Sequence, residues 1–295
     1  MASSEPPVIL ITGCSTGLGR SLSSEALSRG MRVIATARRL EAIDDLREKG
    51  AETLTLDVST SREALMEFAR EAIGIFGQVD TLVNNAGYLL AGAIEEVAEE
   101  QMRAQFDTNF FGIINVTCAF LPHFRERRTG TIINISSMGG YLALSGCAIY
   151  CATKAALDCI SAAWSKELAP FNIRTMSVAL GAFRTAVAGS NTKVCENQIE
   201  GYVEPREFLA CFQGSSGKER GDPDKASKKL LDLIALRDND GVLLKLPLHL
   251  AMGEDAVDNT VKVQSERRKE SEDWRIHGCG TDFEDVVLID TGGRW

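Results

Sequence analysis

The sequence predicts an α/β fold: one doubly wound parallel sheet with helices on both faces. Two observations predict it. Short runs that are apolar through most of their length alternate with helical stretches, and a glycine-rich turn sits between the first run and the first helix. A strand covered on both faces has no solvent side to make polar, so near-continuous apolar runs joined by helices belong to a parallel sheet. Crossovers in such a sheet are expected to be right-handed.

Residues 7–12 (PVILIT) form the first predicted strand, which ends at Gly13. Leu18, Leu22, Ala26 and Leu27 then recur at helical spacing, and Gly30 closes that helix. Residues 32–37 (RVIATA) and 52–58 (ETLTLDV) are the second and third strands. Residues 61–76 read as a helix with Ala64, Leu65, Phe68, Ala72 and Ile75 on one face. Strands four to six are expected at 81–84, 131–135 and 173–179, with long helices at about 96–121 and 150–169. The pattern then breaks. Residues 186–222 mix Gly, Ser and charges with Tyr202 and Phe212 and show no clear period, as a lid or binding insertion would. A helix over 224–236 is capped by the Asp-Pro-Asp run at 222–224. The tail from 254 is polar and charged, carries Trp274 and Trp295, and is read as a C-terminal extension. The expectation is one unit over 1–295, with 186–222 as its lid and 254–295 as its extension.

Composition narrows the functions. Of 295 residues 44% are hydrophobic and 25% charged, which excludes disorder, collagen and coiled coil. The net charge is −9, from 32 Lys and Arg against 41 Asp and Glu, so no general attraction to nucleic acid or anionic lipid is expected. The eight cysteines are too sparse for a disulfide framework, which suggests reduced thiols and a cytoplasmic location. Residues 1–7 (MASSEPP) carry no secretory pattern, and no apolar run approaches the roughly 20 residues of a membrane span.

The turn Thr12-Gly13-Cys14-Ser15-Thr16-Gly17-Leu18-Gly19 joins the first strand to the first helix. Glycines there permit a tight turn and let backbone N–H groups approach a pyrophosphate, which a helix N-terminus also attracts. The spacing is TGxxxGxG rather than GxGxxG. Asn84-Asn85-Ala86-Gly87 follows the fourth strand, Asn109 lies within a helix, Ser137 ends the fifth strand, and Tyr150-Cys151-Ala152-Thr153-Lys154 begins 13 positions after Ser137. In this order the motifs resemble those of the short-chain dehydrogenase/reductase family, densely over 7–185 and loosely beyond, and closest to its hydroxysteroid and retinol dehydrogenase branches. The resemblance implies a Rossmann-type fold and a nicotinamide cofactor. It implies cofactor contacts at Gly13, Ser15, Thr16, Gly17, Leu18 and Gly19 in the turn, at Asn84, Ala86 and Gly87, and at Tyr150, Lys154, Phe183 and Thr185. Asp57 and Val58 would flank the adenine, and Asn84 would help hold the ribose beside it. One departure is visible: Leu180 stands where the family usually has Pro, before Gly181 and Thr185. That restores an N–H and frees φ, and puts the shape of the nicotinamide side in question.

The second strand ends Thr36-Ala37-Arg38-Arg39, with no acid before Glu41. A carboxylate there would favour a ribose 2′-hydroxyl, whereas a guanidinium grips a 2′-phosphate. NADP is therefore expected, with Arg38 as the main contact and Arg39 as a second; two solvated loop arginines are the alternative.

Tyr150 and Lys154 lie four apart on a helix, about 5–6 Å between Cβ atoms. An ammonium at about 4 Å contributes on the order of 4 kcal/mol at an effective dielectric near 20, enough to lower a Tyr pKa from roughly 10 by about three. By resemblance, Tyr150 gives or takes the proton, Ser137 holds the substrate oxygen, Lys154 positions the ribose, and Asn109 keeps a water for a relay. Ser136 competes with Ser137 on local grounds, and an ordinary surface Tyr/Lys pair or a buried structural Asn109 would also suit the local sequence. The implied activity is hydride transfer between NADP(H) and a carbonyl or secondary alcohol, with a bulky apolar substrate. Epimerisation or dehydration on the same fold, and a non-catalytic NADP-binding sensor or scaffold, are the alternatives. A homodimer or homotetramer through the two long helices is a further expectation. Cys147 with Cys151, and His277 with Cys279, lack the extra ligands of a metal site, so no metal is expected. The cations at 125–128 suit a solvated helix end, and residues 113–121 suit a core or an oligomer contact.

Overall fold

The structure, a computed structural model, describes residues 5–238, 242–281 and 283. Trp295 and the rest of 284–295, like residues 1–4, lie outside the described residues. In chain order the strands are β1 (Val8–Ile11), β2 (Arg32–Ala37), β3 (Glu52–Thr55), β4 (Thr81–Asn84), β5 (Leu89–Ala91), β6 (Gly130–Ser137), β7 (Ile173–Leu180), β8 (Thr192–Val194) and β9 (His249–Met252). The helices are α1 (Gly17–Ser28), α2 (Asp44–Glu48), α3 (Arg62–Phe76), α4 (Glu99–Phe106), α5 (Gly112–Arg127), α6 (Gly139–Leu142), α7 (Ala148–Glu167), α8 (Val203–Gly214), α9 (Pro223–Ala235), α10 (Glu254–Asp273) and α11 (Arg275–Gly278).

Seven strands pair in the order β3-β2-β1-β4-β6-β7-β9, and every pairing is parallel. Alternation along β1 shows why its run is apolar throughout. Ile9 and Ile11 face the layer of α1 and α9, with Leu22 and Leu230, while Val8 and Leu10 face the layer of α3, α5 and α7, with Phe68, Phe120 and Trp164. All four β1 side chains are fully buried. The chain builds outward from β1 to β3, then restarts at β4 and builds the other way. That reversal opens a crevice beyond the carboxyl ends of β1 and β4, where ligands bind in open α/β sheets.

Tertiary structure adds what periodicity misses. Strand β9 has four residues, one of them His249, and is made by pairing with β7 (Ser177 opposite His249) rather than by any local pattern. Strands β5 and β8 pair with each other alone. The helix expected at 96–121 is two helices, joined at Asp107–Phe111 by a π-turn in which the Gly112 N–H reaches the Asp107 carbonyl. The segment 186–222 is not irregular: it holds β8 and α8, whose Phe208, Leu209 and Phe212 pack on Leu89, Cys147 and Cys151. In twelve residues that short apolar stripe has too few turns to stand out. The cation run at 125–128 also needs correction, because Arg127 is not simply solvated. Its guanidinium pairs with Asp80 at 2.7 Å and donates to the Val79 carbonyl at 2.8 Å. The helix expected at 224–236 is α9, and the Asp222 carboxylate accepts from the Asp224 and Lys225 N–H groups at its start. The extension from 254 contains α10, tied to the end of β7 where Asp255 accepts from the Ala182 N–H at 2.7 Å. Among the described residues no helix is long and apolar enough to cross a membrane, and no group of three His, Cys, Asp or Glu is placed to hold a metal.

Candidate active site

The crevice holds a cavity of about 610 Å³ whose lining runs from the glycine turn to α8. Gly13, Ser15, Thr16, Gly17 and Leu18 line one end. Gly13 has φ +71°, and a Cβ there would fall 2.8 Å from the Ala86 Cα; at Gly17, with φ +57°, it would fall 3.0 Å from the Thr185 Cβ. Both conformations disfavour a side chain. Gly19 does not line the cavity; a Cβ there would strike the Asn85 amide at 2.4 Å and the Gly13 carbonyl at 2.6 Å, so this glycine serves packing behind the turn. Thr12 ties the turn to the NNAG segment, its hydroxyl accepting from the Asn85 and Ala86 N–H groups, each at 2.9 Å. The Asn85 amide donates to the carbonyls of Thr12 and Gly13 at 2.8 and 3.0 Å. From the helix side, Arg20 donates to the Ser15 carbonyl at 2.8 Å.

Helix α1 begins without a side-chain cap, whereas α3 and α9 are capped by Ser61 and Asp222. Its first turn therefore has no side-chain acceptor, and Gly17 and Leu18 of that turn line the cavity, as at an anion site. This end fits a dinucleotide phosphate: backbone donors, a positive helix end, and no room for a side chain. Arg38, Asp57 and Val58 line the cavity near the ends of β2 and β3. Asp57 accepts from the Ser59 hydroxyl at 2.6 Å and N–H at 2.9 Å, and the Ser59 hydroxyl holds its carboxyl below the usual range. Arg38 is exposed at the rim, and Arg39, also exposed, does not line the cavity.

Ser137, Tyr150 and Lys154 meet on the cavity wall at the carboxyl end of β6. Ser137 is the last residue of β6, and its hydroxyl accepts from the Gly139 N–H at 3.1 Å. The same hydroxyl lies close enough to the Tyr150 side chain to favour its anion. Burial outweighs that effect and pushes the Tyr150 hydroxyl up to about 12. The expectation that Lys154 lowers it directly is corrected here. Lys154 lies 5.8 Å from the Tyr150 ring centre and donates its Nζ to the Ile135 carbonyl at 2.8 Å. Only 5% exposed, it is itself pushed down to about 8 by desolvation. Behind it Asp158, 5% exposed and hydrogen-bonded to Ser177, is raised by burial. Ser136 also lines the cavity, but it is buried and its hydroxyl donates to the Lys154 carbonyl at 3.4 Å.

Two predicted site residues lie behind the wall. The Asn84 side chain is buried, donating to Thr117 at 2.9 Å and Asn134 at 2.8 Å, so it is committed to the sheet and does not reach a ribose site. Asn109 sits in the π-turn, its amide accepting from the Tyr88 N–H at 3.1 Å and donating to the Tyr88 carbonyl at 2.9 Å. That fastens the turn after NNAG. Ala86 and Gly87 line the cavity, as do Leu180, Phe183 and Thr185. Leu180 extends β7 by pairing opposite Ser137.

Several lining residues had no sequence signal: Tyr88, with Lys193 Nζ 4.5 Å from its ring centre, and Phe208 and Glu219 from the 186–222 segment, of whose lining residues only Phe212 stood out. Asn85 was visible only as the second letter of NNAG. What brings these groups together is the return of 186–222 across the sheet's carboxyl edge.

A parallel sheet with a phosphate-shaped glycine turn and a Ser–Tyr–Lys group at its carboxyl edge defines a dinucleotide-dependent oxidoreductase class of site. Comparison with known proteins agrees. Residues 7–195 match the family model for short chain dehydrogenase, and the chain belongs to that family. It is 32% identical over 269 residues to Oxidoreductase BOA17 of Botryotinia fuckeliana, covering 90% of this chain and 95% of that protein. It is 34% identical over 238 residues to the 3-ketodihydrosphingosine reductase of Bacteroides thetaiotaomicron, covering 78% and 84%. Among solved structures, a short-chain dehydrogenase from Streptomyces avermitilis is 38% identical, with a TM-score of 0.85, over 96% of this chain and all of that one.

Proposed function

We propose that the protein is an NADP(H)-dependent oxidoreductase that interconverts a ketone or aldehyde and the corresponding alcohol, with Tyr150 as its acid and base. The observation that carries this is the convergence of Ser137, Tyr150 and Lys154 on the wall of a cavity whose far end is the glycine turn. NADPH when bound supplies the hydride. The chain's own residues do the rest. Ser137 and Tyr150 present two hydroxyls that together hold a substrate oxygen. Tyr150 gives that oxygen a proton in reduction and takes it back in oxidation. Lys154, held by the Ile135 carbonyl, places a positive charge beside the tyrosine ring. Arg38 is the group at the β2 end able to grip a 2′-phosphate. Asn109 is proposed to support a water relay through its hold on the Tyr88 backbone. Residues 186–222 are proposed as the substrate lid, since they supply Val187, Phe208 and Phe212 to the cavity. This apolar wall favours a bulky apolar substrate, and the Bacteroides relative is named as a reductase of 3-ketodihydrosphingosine.

The test is turnover of NADPH with a panel of long-chain and cyclic ketones, in wild type and Tyr150→Phe. Loss of the acid should lower kcat/KM about 100- to 10,000-fold while NADPH still quenches. Undiminished turnover in Tyr150→Phe sinks the assignment.

A further inference from the structure

We infer that Glu219 is a specificity-determining carboxylate that receives a cationic amino group of the substrate, so that the preferred ketone or alcohol carries an ammonium as well as an apolar chain. This rests on the oxidoreductase reading above. Glu219 is 7% exposed and lines the cavity. Neither of its carboxylate oxygens has a hydrogen-bond partner. Its backbone is clamped to the turn after β7: the Arg184 Nε donates to the Glu219 carbonyl at 2.7 Å, the Arg184 N–H to the Gly221 carbonyl at 2.9 Å, and the Gly221 N–H to the Ala182 carbonyl at 2.9 Å. The backbone that carries the carboxylate is thus held in place, while both carboxylate oxygens are buried and accept no hydrogen bond.

Arg184, the cation beside this segment, spends its Nε on the Glu219 backbone carbonyl rather than on the carboxylate, and three further cations of the 186–222 segment have partners of their own. Arg220 pairs with Glu254 at 2.6 Å, Arg206 pairs with Glu96 at 2.9 Å, and Lys193 lies over the Tyr88 ring. Glu96 shows what a satisfied buried carboxylate looks like in the same chain. It is 2% exposed and accepts from the N–H groups of Ala93 and Ile199 as well as from Arg206. An unpaired buried carboxylate is costly, and retaining one beside a cavity points to a partner that arrives with a ligand. An ammonium brings three donors and cancels the charge; a hydroxyl brings one donor and leaves the charge in place. The phosphates of a dinucleotide would be repelled. The segment that carries Glu219 also supplies Val187, Phe208 and Phe212, so an apolar chain and an ammonium can be held together.

The experiment compares 2-dodecanone with 1-amino-2-dodecanone as substrates of wild type and Glu219→Gln, with NADPH affinity followed by nicotinamide fluorescence. Wild type should favour the amino ketone in kcat/KM by about tenfold or more, and the ratio should fall towards one in the variant. An unchanged ratio, or a loss of NADPH affinity without a change in ratio, overturns the assignment; the second result would give the carboxylate to the cofactor instead. Decylammonium and decanol are also compared as ligands of the wild-type protein with NADPH, which needs no folded variant. Equal binding overturns the inference, and tighter decylammonium binding supports it. Should neither ketone be reduced while decylammonium binds through Glu219, the oxidoreductase reading fails and the amine site stands. Should both be reduced at an unchanged ratio, the reverse holds.

Discussion

Replacing Lys154 by Met should stabilise the protein at neutral pH and lose that advantage in alkali. Lys154 is 5% exposed, and burial takes its ammonium from 10.5 down to about 8. The sign follows from the direction of that change. Below about pH 8 the ammonium is charged in both folded and unfolded chains, so the folded state bears the whole desolvation penalty. Between about 8 and 10.5 the unfolded chain holds the proton more firmly than the folded one, and the penalty shrinks as pH rises. Above 10.5 the side chain is neutral in both states and the penalty is gone. The drop is worth about 3 kcal/mol, and Lys154→Met also forfeits the hydrogen bond to the Ile135 carbonyl, about 1 kcal/mol. The variant should therefore be about 2 kcal/mol more stable at pH 7 and no more stable than wild type near pH 11. Urea or thermal unfolding of both proteins at matched concentration, at pH 7, 9 and 11, reads this directly. A variant less stable at pH 7, or a difference that ignores pH, would refute the reasoning, because the Asp158 carboxylate would then be compensating the ammonium in full. A lysine that costs the fold this much is expected to serve the site, so the same variant should also lose turnover.

Arg38→Ala should abolish a preference for NADPH over NADH, a change of about 10- to 100-fold in relative affinity, measured by titrating each nucleotide against nicotinamide fluorescence. Thr12→Val removes the acceptor used by the Asn85 and Ala86 N–H groups and should cost about 1–3 kcal/mol in denaturant unfolding; a neutral result would mean that the turn is held without it. Arg206→Ala frees a buried Glu96 from its ion pair and should expose the 195–206 segment to limited proteolysis and raise KM more than it lowers kcat.

The sheet was legible from the chain because a doubly covered strand carries its own signature, as Val8–Ile11 shows. The turn at Gly13 and Gly17 was legible because positive φ and close backbone approach restrict the residue type locally. Ser137 and Tyr150 were legible as a spaced pair. Strand β9 was not, since its four residues become a strand by pairing with β7. Asn84 was assigned outward on its motif but turns into the sheet, because Asn134 and Thr117 on neighbouring elements complete its hydrogen bonds. Arg127 read as solvated until Asp80, 47 residues earlier, came beside it.

By itself the sequence determined the first six strands of the main sheet in their order, the phosphate-shaped turn, and the residue types able to move a proton, since each depends on side-chain period or backbone geometry within a few residues. The tertiary structure alone decided which of those side chains face the cavity, which way burial drives Tyr150 and Lys154, and that Glu219 comes to line the site without a partner. Desolvation and hydrogen-bond satisfaction depend on what surrounds a group, and those surroundings come from segments far apart in the chain.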